Sequence, residues 1–237
     1  MKDLFGKAIL DYQTGNDPQN LVTETTISEE DEMSVAYLFR SYRQMPEIEQ
    51  RALQMANGKI LDIGCGAGSH SLYLSQERNL DVHPVDISEN AIKACLLRGL
   101  DNARAVDVMA LDNEKYDTIL LLMNGAGMCG RLKRIAAFLQ KLKSLLLPGG
   151  QILLDSSDII YMFDEDEDGG KWIPTGMEYY GEVVFSIRYK GEKERPFDWM
   201  YIDYNTLQNA AEANGLRCEM VMEGKHYDYL ARLTIKD

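Results

Sequence analysis

The sequence predicts an α/β fold, a doubly wound and mostly parallel sheet wrapped by helices, on three observations. Residues 59–69 read Lys-Ile-Leu-Asp-Ile-Gly-Cys-Gly-Ala-Gly-Ser, a short apolar run broken by alternate glycines and followed by helical spacing; that is a strand, a tight turn and a helix. Residues 119–122, Ile-Leu-Leu-Leu, are apolar at every position, as a strand buried on both faces must be. Strand-like and helix-like segments then alternate as far as Asp155, the rhythm of βαβ units.

Each element follows from local pattern. Leu4, Phe5, Ala8 and Ile9 share one face of a short helix that Gly-Asn-Asp-Pro at 15–18 ends. Ser28 followed by Asp31 resembles a capping box, so a helix is expected there, with Val35, Leu38, Phe39 and Tyr42 at helical spacing behind it. Pro46 suits the first turn of a further helix carrying Ile48, Ala52, Leu53 and Met55, stopped by Asn57-Gly58. Residues 1–57 therefore read as an N-terminal helical cap, and residues 58–237 as the main domain. Within that domain, 80–86 is the second strand, and Ser88 caps a helix burying Ala91, Ile92, Cys95 and Leu96 up to Gly99. A short third strand spans 103–106 and the fourth 116–123. A helix with Leu132, Ile135, Leu139, Leu142 and Leu146 on one face is closed by Pro148-Gly149-Gly150, and 151–155 is the fifth strand. Beyond Ser156 an insertion at about 158–203 carries a hairpin, 182–189 and 197–203, around Gly191. A helix at 205–214 and strands at 218–223 and 229–235 complete the chain.

Bulk composition narrows the partners. With 237 residues, 45% hydrophobic and 27% charged, the chain is an ordinary globular sequence able to bury one sizeable core. No apolar run approaches a membrane span, and the N-terminus turns polar too early for a signal peptide. Cys65, Cys95, Cys129 and Cys218 are scattered, with no Cys-x-x-Cys pair, which suits a reducing cytoplasm and offers no zinc framework. A net charge of −13 argues against nucleic acid, whose binding depends on Lys and Arg neutralising phosphates.

The glycine spacing discriminates between ligands. A dinucleotide fingerprint, Gly-x-Gly-x-x-Gly, would need its third glycine where Ser69 stands, and the Gly-Lys-Ser/Thr of a triphosphate loop does not occur. Asp62-x-Gly64-x-Gly66-x-Gly68 instead resembles the first motif of the class I S-adenosylmethionine-dependent methyltransferases. That cofactor has no pyrophosphate to cradle and carries a sulfonium, so a carboxylate beside the loop is tolerated.

Further residues fall where the resemblance implies them. Asp86 ends the second strand, 18 residues after Gly68, where a carboxylate can accept hydrogen bonds from both ribose hydroxyls. Ile87 beside it would pack on adenine. Asp107 would hold the adenine amino group with the Val108 backbone alongside, and Asn124 ends the fourth strand between cofactor and substrate. The cofactor candidates are therefore Asp62, Gly64, Cys65, Gly66, Gly68, Asp86, Ile87, Asp107, Val108 and Asn124, with Arg40 and Tyr42 from the cap. Cys65 reads as a small filler rather than a nucleophile. The resemblance also implies a Rossmann-like seven-stranded sheet whose strand at 229–235 is antiparallel.

Methyl transfer is an in-line displacement from an excellent leaving group, so alignment matters most and a base is optional. His70 is the candidate nearest the cofactor; a cap or packing role is its alternative. Asn124 is followed by Gly-Ala-Gly-Met, not by the Pro-Pro-aromatic run of enzymes that methylate bases or glutamine. Tyr161, Phe163, Trp172, Tyr179, Tyr180, Phe185, Trp199 and Tyr201 divide between hairpin core and the wall of a pocket. A small, partly apolar acceptor is expected, with a basic protein substrate or a non-catalytic binding module as the alternatives. Asp164-x-Asp166-x-Asp168-Gly169 copies half an EF-hand, but its twelfth position is Thr175; a solvated loop without metal is expected.

Overall fold

The computed structural model describes residues 2–236. The chain opens with helix α1 (Leu4–Thr14), strands β1 (Leu21–Thr25) and β2 (Ser28–Met33), two tight turns (Val35–Phe39 and Tyr42–Gln44) and helix α2 (Glu47–Met55). The alternating part runs β3 (Lys59–Ile63), α3 (Ser69–Leu72, continued by a wider turn, Tyr73–Glu77), β4 (Asp81–Asp86), α4 (Glu89–Leu97), β5 (Arg104–Ala105), β6 (Tyr116–Leu121), α5 (Ile135–Ser144) and β7 (Leu146–Ser157). Then come β8 (Glu182–Tyr189), β9 (Glu192–Lys193), β10 (Phe197–Met200), α6 (Tyr204–Ala213), β11 (Leu216–Glu223) and β12 (Asp228–Ile235).

Seven strands form the main sheet in the order β11-β12-β7-β6-β3-β4-β5. All neighbours are parallel except β12, which runs antiparallel to both β11 and β7. Alternate residues of the central strands part into two cores, the expected result of a period of two in a sheet covered on both faces. Ile119, Leu121, Ile152 and Leu154 pack with Phe138, Leu139 and Leu142 of α5 and Leu207 and Ala211 of α6. Leu120, Leu122 and Leu153 face the other way, onto Ile48, Ala52 and Leu53 of α2 and Leu74. Among the described residues, no helix is long and apolar enough to cross a membrane.

The helix expected from Ser28 is a correction. Residues 21–33 form a β-hairpin, β1 paired with β2, and β1 pairs in turn with β8 of the insertion. The second sheet reads β10-β8-β1-β2, with β9 beside β8, and is antiparallel throughout. The local cause lies in Thr25, whose hydroxyl accepts hydrogen bonds from the backbone N–H of Ile27 (3.2 Å) and Ser28 (3.0 Å); this closes a turn where a helix would have begun. Glu29 to Glu32 then supply four acids with no buried face, so packing gives a helix nothing to gain there. Val35, Leu38 and Phe39 sit on a single tight turn instead. A second correction concerns Pro148-Gly149-Gly150: α5 already stops at Ser144, and these residues lie inside β7 at an irregularity of its pairing with β6.

Leu4 and Ala8 of α1 pack with Leu21, Val35, Ile187 and Tyr189, fastening the first helix to the second sheet. Its other flank, with Ile9, packs on Ala67, Ala91 and Ala94. The Asp3 carboxylate accepts from Gly6 N–H (3.2 Å), Ser88 Oγ (2.9 Å) and Asn90 Nδ2 (2.9 Å). One side chain thus caps α1 and ties it to the start of α4, across the end of β4.

Candidate functional site

The carboxyl ends of β3, β4, β5, β6 and β7 bring the predicted residues to one edge of the main sheet, where ligands of such folds bind. The turn after β3 holds Gly64, Gly66 and Gly68 at φ 71°, 53° and 78°, left-handed values that favour glycine. The three glycines do different work. A Cβ on Gly68 would lie 2.5 Å from Leu100 Cδ1 and 3.0 Å from Cys95 Sγ, so this position serves packing against α4. A Cβ on Gly66 would meet nothing nearer than 3.9 Å, which leaves that backbone open.

The loop amides are already used. Gly64 and Cys65 both donate to Val85 O (2.8 and 3.1 Å), Gly66 donates to Asp86 Oδ2 (3.0 Å), and Gly68 donates to Cys65 O (2.7 Å). A pyrophosphate seat needs such N–H groups free and aimed at the anion, so the loop suits a ligand without phosphate. Cys65 contributes backbone only: its side chain is buried 3.9 Å from Cys95 Sγ, and that contact together with burial holds the thiol well above its usual range.

Asp86 is the centre of this half. Its second oxygen accepts Ser88 N–H (2.9 Å). Protein surrounds it closely while solvent still reaches it. Burial raises its proton affinity; the hydrogen bonds from Ser88 and Gly66 oppose that, and the charges of Asp3 and Asp62 add to it. Ile87 next door is 63% exposed, a large apolar side chain at the rim with no protein covering it. Val108 is buried, and Asp107 caps the following turn by accepting Met109 N–H (2.9 Å).

Asp62, Arg40, Tyr42 and His70 stand behind the loop. Asp62 is buried and accepts the Ser71 hydroxyl (2.6 Å); burial raises its pKa against the opposing charge of His70 and that hydrogen bond. Glu49 of α2 binds the Arg40 guanidinium and lies 2.7 Å from His70 Nε2, with all three side chains enclosed. Burial pushes the Glu49 carboxyl up, but His70 and Arg40 outweigh it and hold the group below its usual range. Arg40 also lies over the Tyr37 ring (4.1 Å) and donates to Tyr37 O (2.7 Å). Tyr42 stacks on Tyr73 at 3.9 Å and its hydroxyl accepts from Gln54. His70 is thus tied to Glu49 through Nε2, and Tyr42 is engaged by Tyr73 and Gln54.

The β6–β7 half carries the group that sequence reasoning missed. Asn124 has a left-handed backbone (φ 59°) and its side chain is held at both ends, Oδ1 accepting Ser156 Oγ (2.7 Å) and Nδ2 donating to Met200 O (3.3 Å). Beside it, Asp155 of β7 accepts the Asn124 N–H through Oδ1 (3.0 Å). Burial first, and then the charge of Glu49, raise Asp155 to about 7. The signal was present: an acid follows the apolar run 152–154 as Asp86 follows its own strand.

The insertion closes this half. Arg131 donates to Glu182 (2.9 Å) and Asp198 (2.6 Å), clamping the segment after β6 to β8 and β10. The Trp199 ring lies so close to Gly127 that a Cβ there would be 2.1 Å from it. Phe185, Phe197 and Trp199 form one aromatic cluster, while the Tyr180 hydroxyl donates to Asp158 (2.9 Å) and Tyr161 stacks on Tyr227 at 4.7 Å. A surface concavity of about 810 Å³, lined by Lys115, Leu147, Pro148 and Thr234, lies at the opposite edge of the sheet and has no part in this site.

Comparison with known proteins shows the family and the fold. A family model described as a methyltransferase domain matches residues 36–220. The crystal structure of an S-adenosylmethionine-dependent methyltransferase from Bacteroides fragilis, in complex with S-adenosyl-L-homocysteine, is 46% identical with a TM-score of 0.91, covering 100% of this chain and 96% of that one. The CcbJ methyltransferase from Streptomyces caelestis, 15% identical with a TM-score of 0.63 over 81% of this chain and 91% of its own, shares the fold. Among curated proteins, a ubiquinone biosynthesis O-methyltransferase from Leptothrix cholodnii is 24% identical over 151 residues, 58% of this chain; the matched region spans 62% of that relative's length.

Proposed function

Because this chain belongs to the S-adenosylmethionine-dependent methyltransferases, we propose that it methylates a small-molecule acceptor in the crevice along the carboxyl ends of β3 to β7. The observation that carries this reading is Asp86: a solvent-reached carboxylate at the end of β4, joined to the glycine turn through Gly66 and to α4 through Ser88. Bound S-adenosylmethionine supplies an electrophilic methyl group on a positively charged sulfur. The residues around it bind and orient. Asp86 would accept the ribose hydroxyls, Ile87 would pack on adenine, and Asp107 would meet its amino group with the Val108 backbone alongside. The open backbone at Gly66 allows close approach of the sulfur-bearing chain. Asp62 holds the loop from behind through Ser71. Alignment of acceptor, methyl and sulfur in a dry crevice is then the main source of rate.

The acceptor reading rests on the insertion. Tyr161, Tyr180 and Trp199 bring aromatic surface to the β6–β7 half, and enclosed sites of that character take small, partly apolar molecules. Nucleic acid is disfavoured by the net charge of −13. A cytoplasmic setting is part of the same reading, supported by four free, buried cysteines. So is a division into a cap, residues 1–57, and a cofactor domain, 58–237, with the insertion at about 158–203.

Titration calorimetry with S-adenosylhomocysteine tests the cofactor seat. Asp86→Ala is expected to weaken binding by about 1–3 kcal/mol through lost charged hydrogen bonds; unchanged affinity removes Asp86 from the ribose. A methyl-transfer screen over phenols, amines and carboxylic acids, with lysine-rich peptides as the competing class, identifies the acceptor chemistry.

A further inference from the structure

Along the carboxyl edge the strands stand in the order β5, β4, β3, β6, β7, spaced about 4.8 Å apart. On the reading above, the cofactor occupies the first three: adenine at β5, ribose at β4, and the sulfur-bearing chain over the β3 glycines. The acceptor is left with β6 and β7. At the end of β6 the Asn124 side chain is already bonded to Ser156 and Met200. Two residues before the end of β7, Asp155 makes a single side-chain hydrogen bond to the described residues, from Asn124 N–H to Oδ1. Its other oxygen is uncommitted and solvent reaches the residue, although protein packs around it on nearly all sides. Immediately beyond Asp155 the chain enters the aromatic insertion with Asp158, Tyr161 and Tyr180.

We propose that Asp155 faces the acceptor, its free carboxylate oxygen accepting the hydrogen bond of the acceptor's O–H or N–H and taking that proton as the methyl is transferred. The proposal rests on the methyl-transfer reading and adds to it a catalytic residue. The balance is closed: a lone pair of the acceptor atom forms the bond to the methyl carbon, and the carbon–sulfur bond breaks with its electrons left on sulfur. The acceptor's proton passes to Asp155, which later returns it to solvent. Charged and titratable groups beside Asp155 bear on its proton affinity. Glu49 of α2 raises it and His70 of α3 opposes, with Arg40 neutralising part of Glu49; Tyr37 from the turn before α2 and Tyr229 of β12 also lie near it. A carboxyl poised near neutrality is suited to receive a proton at working pH.

Sinefungin tests this without an identified acceptor. It is the cofactor analogue that carries an ammonium group where the sulfonium carries its methyl, so it presents an N–H donor at the point of transfer. S-adenosylhomocysteine, which lacks both groups, is the control. Calorimetry on the full chain at pH 8 is expected to show Asp155→Asn weakening sinefungin by about tenfold or more while leaving S-adenosylhomocysteine within about twofold. In the wild type, the preference for sinefungin should fall as pH drops through about 7, the range in which Asp155 becomes protonated; in the variant it should stay flat. Equal weakening of both ligands would assign the carboxylate to the cofactor's amino-acid end, and no change in either would leave it structural; both results overturn the proposal. The wild-type pH dependence decides even if the variant does not fold. A wild type that binds neither ligand defeats the cofactor reading itself, and the two failures are thereby told apart.

Discussion

The two halves of the crevice are built in different ways. The β3–β4 half is local: strand, glycine turn and helix follow within residues 59–72, and its cross-link to Asp86 spans 20 positions. The β6–β7 half is closed by a sheet whose strands lie far apart in the chain; the N–H of Val184 donates to the Thr26 hydroxyl across 158 positions. Local structure is dictated by backbone constraints that each residue carries with it, such as the left-handed turn open to glycine. Distant strands pair only because the rest of the fold delivers them. Substitutions should therefore divide along the same line, with cofactor affinity sensitive in the first half and insensitive in the second.

The largest effects are expected within the glycine turn, where neighbouring positions should fail differently. Gly68→Val combines a φ of 78° with contacts of 2.5 and 3.0 Å to Leu100 and Cys95, and should cost about 3–5 kcal/mol of stability. Gly66→Val has room for its Cβ. It should cost only about 1–2 kcal/mol in backbone strain yet abolish the calorimetric signal for S-adenosylhomocysteine. Full binding by a folded Gly66→Val protein would sink the assignment of the loop.

Asp155 gives the next largest effect, and its sign follows from linkage. Its folded pKa is raised from 3.8 to about 7. Below about pH 4 both states hold the proton and nothing is lost. Between pH 4 and 7 the unfolded chain gives up its proton first, so wild-type stability falls as pH rises, and it levels off above 7. Asp155→Asn cannot titrate there. A gap in its favour should open across that window, reaching as much as ~4 kcal/mol at pH 8. Urea unfolding at pH 5 and pH 8 measures it, and a gap independent of pH would refute the buried-carboxyl reading. A group that costs stability near neutrality is what a working site residue looks like.

Arg131→Ala sharpens the comparison from the other side. It removes the cation from Glu182, which is 5% exposed and among the described residues then keeps only the Leu132 N–H. Destabilisation by about 2–4 kcal/mol is expected, with S-adenosylhomocysteine affinity within about twofold of wild type. A large loss of affinity would show the halves to be coupled.

The same division explains what could be read in the chain. The strands and helices of the alternating region announced themselves through the apolar run 119–122, the Ser88 cap and the glycines, each a short-range signal. The hairpin at residues 21–33 did not, because Ser28 and Asp31 satisfy a helix-start pattern while the deciding partners, Phe185 to Arg188 on β8, lie far along the chain. That Glu49 would bind both Arg40 and His70 could not be read, since α2 and α3 meet only in the folded sheet. Asp155 was legible by the rule that singled out Asp86; what could not be seen was that the Asn124 side chain is tied to Ser156 and Met200, while one oxygen of Asp155 beside it has no partner among the described residues.

The smallest effect is expected at the acidic stretch 164–170, which lies in the insertion yet belongs to neither half. Two of its acids are engaged locally. Asp166 Oδ1 accepts the N–H groups of Asp168 (3.1 Å) and Gly170 (2.6 Å), and Glu165 pairs with Lys171 at 2.7 Å. Among the described residues, no group of three or more His, Cys, Asp or Glu side chains is arranged to hold a metal. Replacing Asp164, Asp166 and Asp168 with Asn together should leave S-adenosylhomocysteine affinity within about twofold, because solvent-exposed charges this far from the ligand are screened. Calcium at about 1 mM should not raise the melting temperature, since a ligand stabilises a fold only by binding its native state. A calcium-dependent rise that vanishes in the triple variant would instead make the half EF-hand a genuine cation seat, and this stretch would then hold the insertion in shape rather than merely cover it.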